Sequence, residues 1–426
     1  MLKFLDTFNT ALFIFFTVAY LYMVMYAAIG LLKRGPKVKR KAKKLHKYAA
    51  VICARNEQEV IAHLIKTLKD QKYPRGLLDI YVVADNCTDY TAKVAAEAGA
   101  NVFERFDTNQ VGKGYALDYF FQKMLQEPEY ASKGYEGYFI FDADNLADPN
   151  FVREMNRVFD QGYQALTSYR NSKNFGTNWI TAGYSINFIR EARMVNNPRM
   201  RLRTGCAISG TGFLVSHELI RKKGGWKYFL LTEDIQFSAD CAVSGDLIGY
   251  CADAMVYDEQ PETFRQSWTQ RLRWAKGFYQ TMGRYGWKLF KGIFCFGENA
   301  TSCYDMFMTI APATLLTVLA LIVNGMTLIL CLINPPYMAY RIIRTTVEAL
   351  FNTAVNFYIV MFIYGALTIV SEWKRIRAKW YKKIAYTFTF PLFMLSYVPI
   401  GVAALVTKVQ WRPIRHSVSK TLEEII

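Results

Sequence analysis

Two aspartates, Asp142 and Asp144, stand two apart at the end of the apolar run Gly137–Asp144, GYFIFDAD. On an extended strand that spacing sends both carboxylates to one side, and hard oxygen ligands suit Mg2+ or Mn2+. Read alone, the pair serves equally as a turn or a helix cap. A second acidic pair, Glu233 and Asp234, follows Thr232 and the apolar run Phe229–Leu231. Apolar surroundings raise a carboxylate's proton affinity toward general-base work; the plain alternative is a helix N-terminus capped by Thr232. Farther on, Gln270-Arg271-Leu272-Arg273-Trp274 gathers an amide, two guanidiniums and an indole within about one helical turn. Guanidinium groups hold a diphosphate in bidentate fashion, and an indole stacks on the apolar face of a sugar ring. The competing reading is an amphipathic helix lying along a membrane.

Two weaker signals precede these. Asp85 ends the run VVAD, where a carboxylate accepts hydrogen bonds from a nucleobase or ribose, or else forms a turn with Asn86 and Asp89. Lys113 stands between two glycines at a helix start, a setting that favours phosphate.

The elements that position these groups alternate. Strand-like runs Tyr48–Arg55, Asp79–Asn86, Asn101–Phe106 and Gly137–Asp144 are separated by helical runs Glu57–Gln71, Thr91–Ala98 and Gly114–Gln126. This βαβ alternation predicts an α/β domain, a parallel sheet covered by helices on both faces, with ligands beyond the carboxyl ends of the strands. Asn56, Asp85 and Asp142 fall at such ends.

Around this domain lie four long uncharged runs, Phe8–Leu32, Met306–Tyr340, Ala349–Ser371 and Ile384–Thr407, each long enough to cross a hydrocarbon core of roughly 30 Å. The chain has 426 residues and a net charge of +17, and its densest basic block, Lys33–Lys47, carries nine Lys or Arg among fifteen residues. Its place directly after the first apolar run marks a cytoplasmic flank that attracts anionic lipid, rather than a nucleic-acid site. The first run reads as an uncleaved anchor. Scattered cysteines without CxxC spacing, and four histidines far apart, give no zinc pattern. Segments Gln266–Phe290 and Glu372–Lys383 mix Trp, Tyr and basic residues as membrane-surface helices do. The division is therefore an N-terminal membrane helix (1–32), a basic segment (33–47), a cytoplasmic domain (48–260), interfacial helices (261–302), a C-terminal membrane region (303–408) and a tail (409–426). The side on which the C-terminus lies stays open: three crossings after the domain put it outside, whereas Lys408, Arg412, Arg415 and Lys420 argue for inside.

CARNE at Cys53–Glu57, Asp85, GKG at Gly112–Gly114, DAD, TED and QRLRW occur in one order over Tyr48–Gln280. In this the chain resembles the processive family 2 glycosyltransferases, the group that contains cellulose, chitin, hyaluronan and poly-N-acetylglucosamine synthases. The resemblance implies a GT-A, Rossmann-like domain inserted between transmembrane helices in the cell membrane. It implies inverting transfer from a UDP-sugar, UDP-glucose or UDP-N-acetylglucosamine, to a growing β-linked polysaccharide, assisted by Mg2+ or Mn2+. By position, Glu57 and Asp85 would contact uridine, Lys113 and Asp142 would hold the donor, Asp144 would ligate the metal, and Asp234, beside Glu233 and Thr232, would be the base. Gln270 and Arg273 would bind the diphosphate, and Trp274 would lie under the acceptor, beside Ser209, Gly210 and Thr211. That last segment departs from the form of each named synthase, which leaves the sugar open. Transfer of one sugar to a lipid carrier needs the same donor site, and a non-catalytic assembly subunit is a further alternative. A homo-oligomer or an accessory export subunit would complete the list of partners.

Overall fold

The computed structural model describes residues 2–32, 41–295, 297–310, 312–330, 336–410 and 420–425. Residues 33–40 of the basic segment, and 411–419 and 426 of the tail, lie outside them. A first helix, α1 (Leu2–Leu32), leads to β1 (Tyr48–Ala54), α2 (Ile61–Lys69), β2 (Leu78–Asp85), α3 (Thr91–Glu97), β3 (Asn101–Arg105), α4 (Lys113–Gln126), α5 (Pro128–Ala131) and β4 (Gly137–Asp142). The domain continues through β5 (Leu146–Ala147), α6 (Phe151–Phe159), β6 (Ala165–Ser172), α7 (Trp179–Glu191), a π turn at Ala192–Asn196, α8 (Asn197–Leu202), β7 (Phe213–Ser216), α9 (His217–Lys222), α10 (Glu233–Ser244) and β8 (Ile248–Asp258). The long α11 (Phe264–Phe294) carries QRLRW, and α12 (Ala300–Ile310), α13 (Pro312–Leu330), α14 (Pro336–Ser371), α15 (Trp380–Leu395), α16 (Tyr397–Val406) and the short α17 (Leu422–Ile425) complete the chain.

Eight strands form one sheet in the order β3-β2-β1-β4-β7-β6-β8-β5. The half from β3 to β4 is parallel, as the alternation predicts, and its central strands are buried almost throughout, which suits a sheet covered on both faces. The sheet as a whole is mixed, contrary to the parallel expectation, because β7 runs antiparallel to both β4 and β6. An antiparallel β7 starts where β4 ends, so the loop that precedes it, Ser209–Gly212, is delivered beside Asp142. A parallel strand would have carried that loop to the far edge of the sheet.

Among the described residues three helices are long and apolar enough to cross a membrane: Lys3–Leu32, Ala339–Ser371 and Trp380–Val406. The predicted run Met306–Tyr340 divides instead between α12, α13 and the start of α14, and Ala300–Ile310 with Leu315–Leu330 makes a pair bent by 45° that is a fourth candidate. The segment Glu372–Lys383, predicted as a surface helix, is chiefly a turn from α14 into α15. Its carboxylate is buried: Glu372 is 1% exposed and accepts a hydrogen bond from the Tyr169 hydroxyl at 3.1 Å, while Asn171 donates to the Arg375 carbonyl at 3.0 Å. That turn is thereby fastened to the end of β6. At the β5 edge of the same half of the sheet, Ile425 of α17 packs with Leu146 and Tyr257. The described residues Leu422–Ile425 therefore pack on the α/β domain.

Candidate active site

At the carboxyl ends of β1, β2 and β4 a cavity of about 690 Å3 opens, lined by Glu57, Asp85, Lys113, Asp142, Asp144, Ser209, Gly210, Thr232, Glu233, Asp234, Gln270, Arg273 and Trp274. Thus thirteen of the fourteen residues singled out from sequence share one space. Thr211 does not reach it. Expected on the acceptor side, Thr211 is 2% exposed; its hydroxyl accepts from the Asp142 amide at 2.9 Å and donates to Asn145 Oδ1, so it braces the end of β4.

The donor end is built by contacts between distant segments. Lys113 starts α4, and its Nζ lies 2.5 Å from Asp142 Oδ1 and donates to the Gly210 carbonyl at 2.7 Å. Burial opposes its charge, but the carboxylates of Asp142 and Glu233 hold the ammonium above the ordinary lysine range. The following glycine is required by space: a Cβ at Gly114 would fall 2.1 Å from the Tyr228 carbonyl oxygen, in the segment that leads into Thr232. Gly114→Ala should therefore push that backbone away and lower kcat by at least about 100-fold, the scale of a 1 Å misplacement of reacting groups. Gly76→Ala, which meets nothing within 4 Å, is the control expected to leave UDP-release rates unchanged.

Strand β4 ends at Asp142, and Asp144 lies in the turn beyond it, so the two carboxylates do not project from one strand face as the spacing predicted. The turn serves them differently: Asp142 is 40% exposed and ion-paired to Lys113, whereas Asp144 is 6% exposed and accepts from the Glu259 amide at 3.2 Å and from Asn145 Nδ2 at 3.2 Å. Among the described residues no group of three His, Cys, Asp or Glu side chains makes an all-protein metal cage. Two carboxylates beside a diphosphate site nevertheless fit a cation whose remaining ligands are donor phosphate oxygens and water.

Asp85 reaches the cavity from the end of β2, but with a partner that sequence reasoning missed. Arg105, at the end of β3, donates from Nη1 to Asp85 Oδ1 at 2.6 Å, with both side chains 7% exposed. Arg170 and Asp258 were missed as well. Arg170 Nε donates to Asp258 Oδ2 at 2.6 Å, and its Nη1 donates to the Ser209 carbonyl at 2.9 Å, fixing the Ser209–Gly212 loop. Burial, with Asp144 nearby, pushes Asp258 up to about 6 against the pull of Arg170. Neither pair had a local signature, because each is a lone charge at a strand end.

Glu233 and Asp234 open α10 at the heart of the cavity. Burial raises both carboxyls above their ordinary range, and repulsion between them adds to the effect on Glu233, while Lys113 opposes it. Asp234 lies on the loop side: a Cβ at Gly210, where φ is +77°, would stand 3.7 Å from its Oδ2. Thr232 precedes the helix but makes no side-chain cap; its side chain presses on Gly277 of α11, where a Cβ would fall 2.4 Å from the Thr232 hydroxyl oxygen. This close approach ties the acidic pair to the helix of QRLRW. That helix starts in a capping box, with the Thr263 hydroxyl accepting from the Gln266 amide. Its motif splits by face. Gln270, Arg273 and Trp274 face the cavity, and Trp274 meets Tyr184 edge-on at 5.7 Å. Arg271 turns away, fully buried, donating to Ser396 Oγ at 2.7 Å and to the Phe393 carbonyl at 3.2 Å, so it clamps α11 to α15 and α16.

The geometry gathers a lysine–aspartate pair, two further buried acids and the cavity face of QRLRW around one space. The family described as Glycosyltransferase like family 2 matches residues 46–277, more than half the chain and the whole span from Glu57 to Trp274. Probable glycosyltransferase YdaM of Bacillus subtilis is 26% identical over 257 residues, 57% of this chain and 57% of that protein. A β-monoglucosyldiacylglycerol synthase of Synechocystis is 25% identical over 263 residues, 58% of this chain and 52% of the synthase. The poly-β-1,6-N-acetyl-D-glucosamine synthase of Staphylococcus epidermidis is 23% identical over 256 residues, 60% of each chain. The matches thus span less than two thirds of these relatives. Among solved structures, the mannosyltransferase PcManGT from Pyrobaculum calidifontis in complex with GDP-Man and Mn2+ superposes with a TM-score of 0.58 at 16% identity, covering 93% of this chain and 99% of that one, a likeness of fold. With so much of its length, and every cavity-lining motif, inside the family match, the chain belongs to glycosyltransferase family 2 and is a glycosyltransferase.

Proposed function

We propose that this enzyme builds a β-linked polysaccharide from UDP-glucose or UDP-N-acetylglucosamine by inverting, metal-dependent transfer, and passes the product among its membrane helices. The observation that carries the reading is the continuity of the cavity. It runs from Lys113 and Asp142 past Asp234 and Trp274 to Tyr20 of α1, Met308 of α12, Met361 of α14 and Gly401 of α16. A site open to solvent alone would not need that extension.

In this reading Glu57 and Asp85 contact the uridine, Lys113 and Asp142 orient the donor, and Gln270 and Arg273 contact the diphosphate. The side-chain amide oxygen of Gln270, Oε1, is buried without a partner among the described residues, so it can accept from a sugar hydroxyl of the donor, while Nε2 is the group that can donate to the diphosphate. Asp144, with Asp142 near, would hold Mg2+ or Mn2+, which supplies positive charge for the leaving diphosphate. Asp234 takes the proton of the acceptor hydroxyl, and burial raises its proton affinity above that of an exposed aspartate, the direction a general base needs. Trp274 supports the acceptor ring. In this reading the domain and the C-terminal residues packed on it lie in the cytoplasm, the side that the basic flank of α1 favours.

One observation favours a second reading, transfer of a single sugar to a lipid hydroxyl: the membrane end of the cavity includes Met23, Met308, Met361 and Met394, a lining suited to acyl chains. Product size separates the two. Purified full-length protein in nanodiscs with Mn2+ and each UDP-sugar should give a high-mass, glycosidase-sensitive product; product confined to singly glycosylated lipid would sink the polymer reading.

A further inference from the structure

Resting on that reading, we propose that Asn187, Arg190 and Glu191 of α7 form an acceptor-side subsite for a neutral, hydroxyl-rich sugar unit. None of the three belongs to a sequence motif, yet all line the same cavity as Asp234 and Trp274. Their helix is fixed at its start by a capping box, with Asn178 Oδ1 accepting from the amides of Ile180 and Thr181 at 2.9 and 3.1 Å. It passes directly after Glu191 into the π turn Ala192–Asn196, a distortion that recurs at functional sites in helices.

The hydrogen bonding is incomplete in a particular way. The Glu191 side chain, partly exposed to the cavity, makes no hydrogen bond or ion pair with any described residue, and burial of the rest of the group raises its proton affinity. Arg190 donates from Nη2 to Asn187 Oδ1 at 3.0 Å, and its Nε is buried without a partner among the described residues. Adjacent in sequence and opposite in charge, the two do not pair with each other. Leaving the buried Arg190 Nε unpaired costs free energy unless a ligand satisfies it, and the Glu191 carboxylate faces the cavity with its acceptors open. A sugar hydroxyl donates and accepts at once, so neighbouring hydroxyls of one ring can donate to Glu191 and accept from Arg190. Phe188, between Asn187 and Arg190 in sequence, and Trp274 meet edge-on at 6.0 Å and supply the apolar surface such a ring covers.

Charge selects the ligand class. Of the other arginines lining the cavity, Arg170 is neutralised by Asp258 and Arg199 by Asp305, the latter at 2.6 Å, while Arg273 is assigned above to the diphosphate and Arg55 lies near Glu57 in sequence at the nucleotide end. Arg190 is balanced by Glu191, so the wall has no surplus positive charge for a uronate or a phosphate-bearing lipid. A glucose or N-acetylglucosamine unit fits.

The test uses full-length protein in nanodiscs with Mn2+, its UDP-sugar, and β-linked glucose or N-acetylglucosamine oligosaccharides of increasing length, with hexuronate oligosaccharides for comparison. Wild type should show a KM that falls with acceptor length for neutral oligosaccharides only. Glu191→Gln and Arg190→Met should raise that KM by about tenfold, the order expected for losing a hydrogen bond to a charged group, and shorten the polymer. UDP affinity measured by calorimetry should be retained, and Glu191→Asp should recover part of the acceptor affinity. Unchanged KM and polymer length in both variants would overturn the subsite alone, as would a parallel loss of UDP affinity, which would make the residues structural. Equal use of hexuronate acceptors by wild type would overturn the neutral-sugar assignment. A wild type that makes only singly glycosylated lipid would overturn the polymer reading and the subsite with it.

Discussion

Asp234→Asn is expected to lower kcat by about 1,000-fold, within the range that a positioned general base contributes, while UDP binding with Mn2+ stays near the wild-type value. The amide keeps the size of the side chain and cannot take the acceptor proton. Asp234 stands at the N-terminus of α10 against Gly210, whereas Lys113 bonds to Asp142 and to the Gly210 carbonyl, so the proposed base and the proposed donor contacts are different side chains and the two effects should separate. Single-turnover rates and UDP calorimetry on the same preparation check it; wild-type rates would remove Asp234 from the chemistry. The pH profile supplies an independent reading. Burial raises the Asp234 carboxyl, and the base works only when deprotonated, so activity falls as pH drops through the raised value. The acid limb of kcat/KM should accordingly lie above the ordinary aspartate range near about 3.9. A limb at the ordinary value would mean that the bound donor and cation cancel the effect of burial.

The second large effect is on folding. Arg105→Met should destabilise the catalytic domain by about 3–5 kcal/mol, because it strands the Asp85 carboxylate in a buried position. Both side chains are 7% exposed, and Arg105 also donates to the Gln110 carbonyl at 2.9 Å. The loss should appear as a lower thermal midpoint together with weaker UDP binding. Adding Asp85→Asn to Arg105→Met removes the orphan charge and should return most of the midpoint but not the UDP affinity, a double-mutant pattern that separates stability from recognition. A double variant as unstable as the single one would show that packing of the Arg105 stem, not charge, is what matters.

The contrast between Asp85 and Arg105 shows where sequence reasoning stops. Asp85 closes a continuous apolar run, and the rule that ligands gather at the carboxyl ends of parallel strands makes it visible. The same rule exposes Asp142. Glu233, Asp234 and the cavity face of QRLRW were legible because each sits in a compact motif whose residue types already suit the chemistry. Periodicity placed the strands from β1 to β4 within a residue or two, since fully buried central strands leave an unbroken apolar signal. By itself, then, the amino-acid sequence determined the parallel half of the sheet, the acids that come to line the cavity and the amphipathic α11.

Tertiary structure decided the rest. Which strand lies antiparallel to β4 depends on long-range pairing, and that choice brings Ser209–Gly212 to Asp142 and turns Thr211 from an acceptor contact into a brace. Arg105 and Asp85 are 20 residues apart, and Arg170 and Asp258 are 88 apart. Such partners carry no local pattern, because an isolated charge at a strand end reads as solvated until the sheet buries it. The two faces of QRLRW separate only when Thr232 meets Gly277 on one side and Ser396 meets Arg271 on the other. Burial is the common physical reason: it changes the cost of leaving a polar group unpaired from negligible in water to several kcal/mol in the interior, so the roles of Arg105, Arg170, Arg190 and Glu191 exist only in the folded chain.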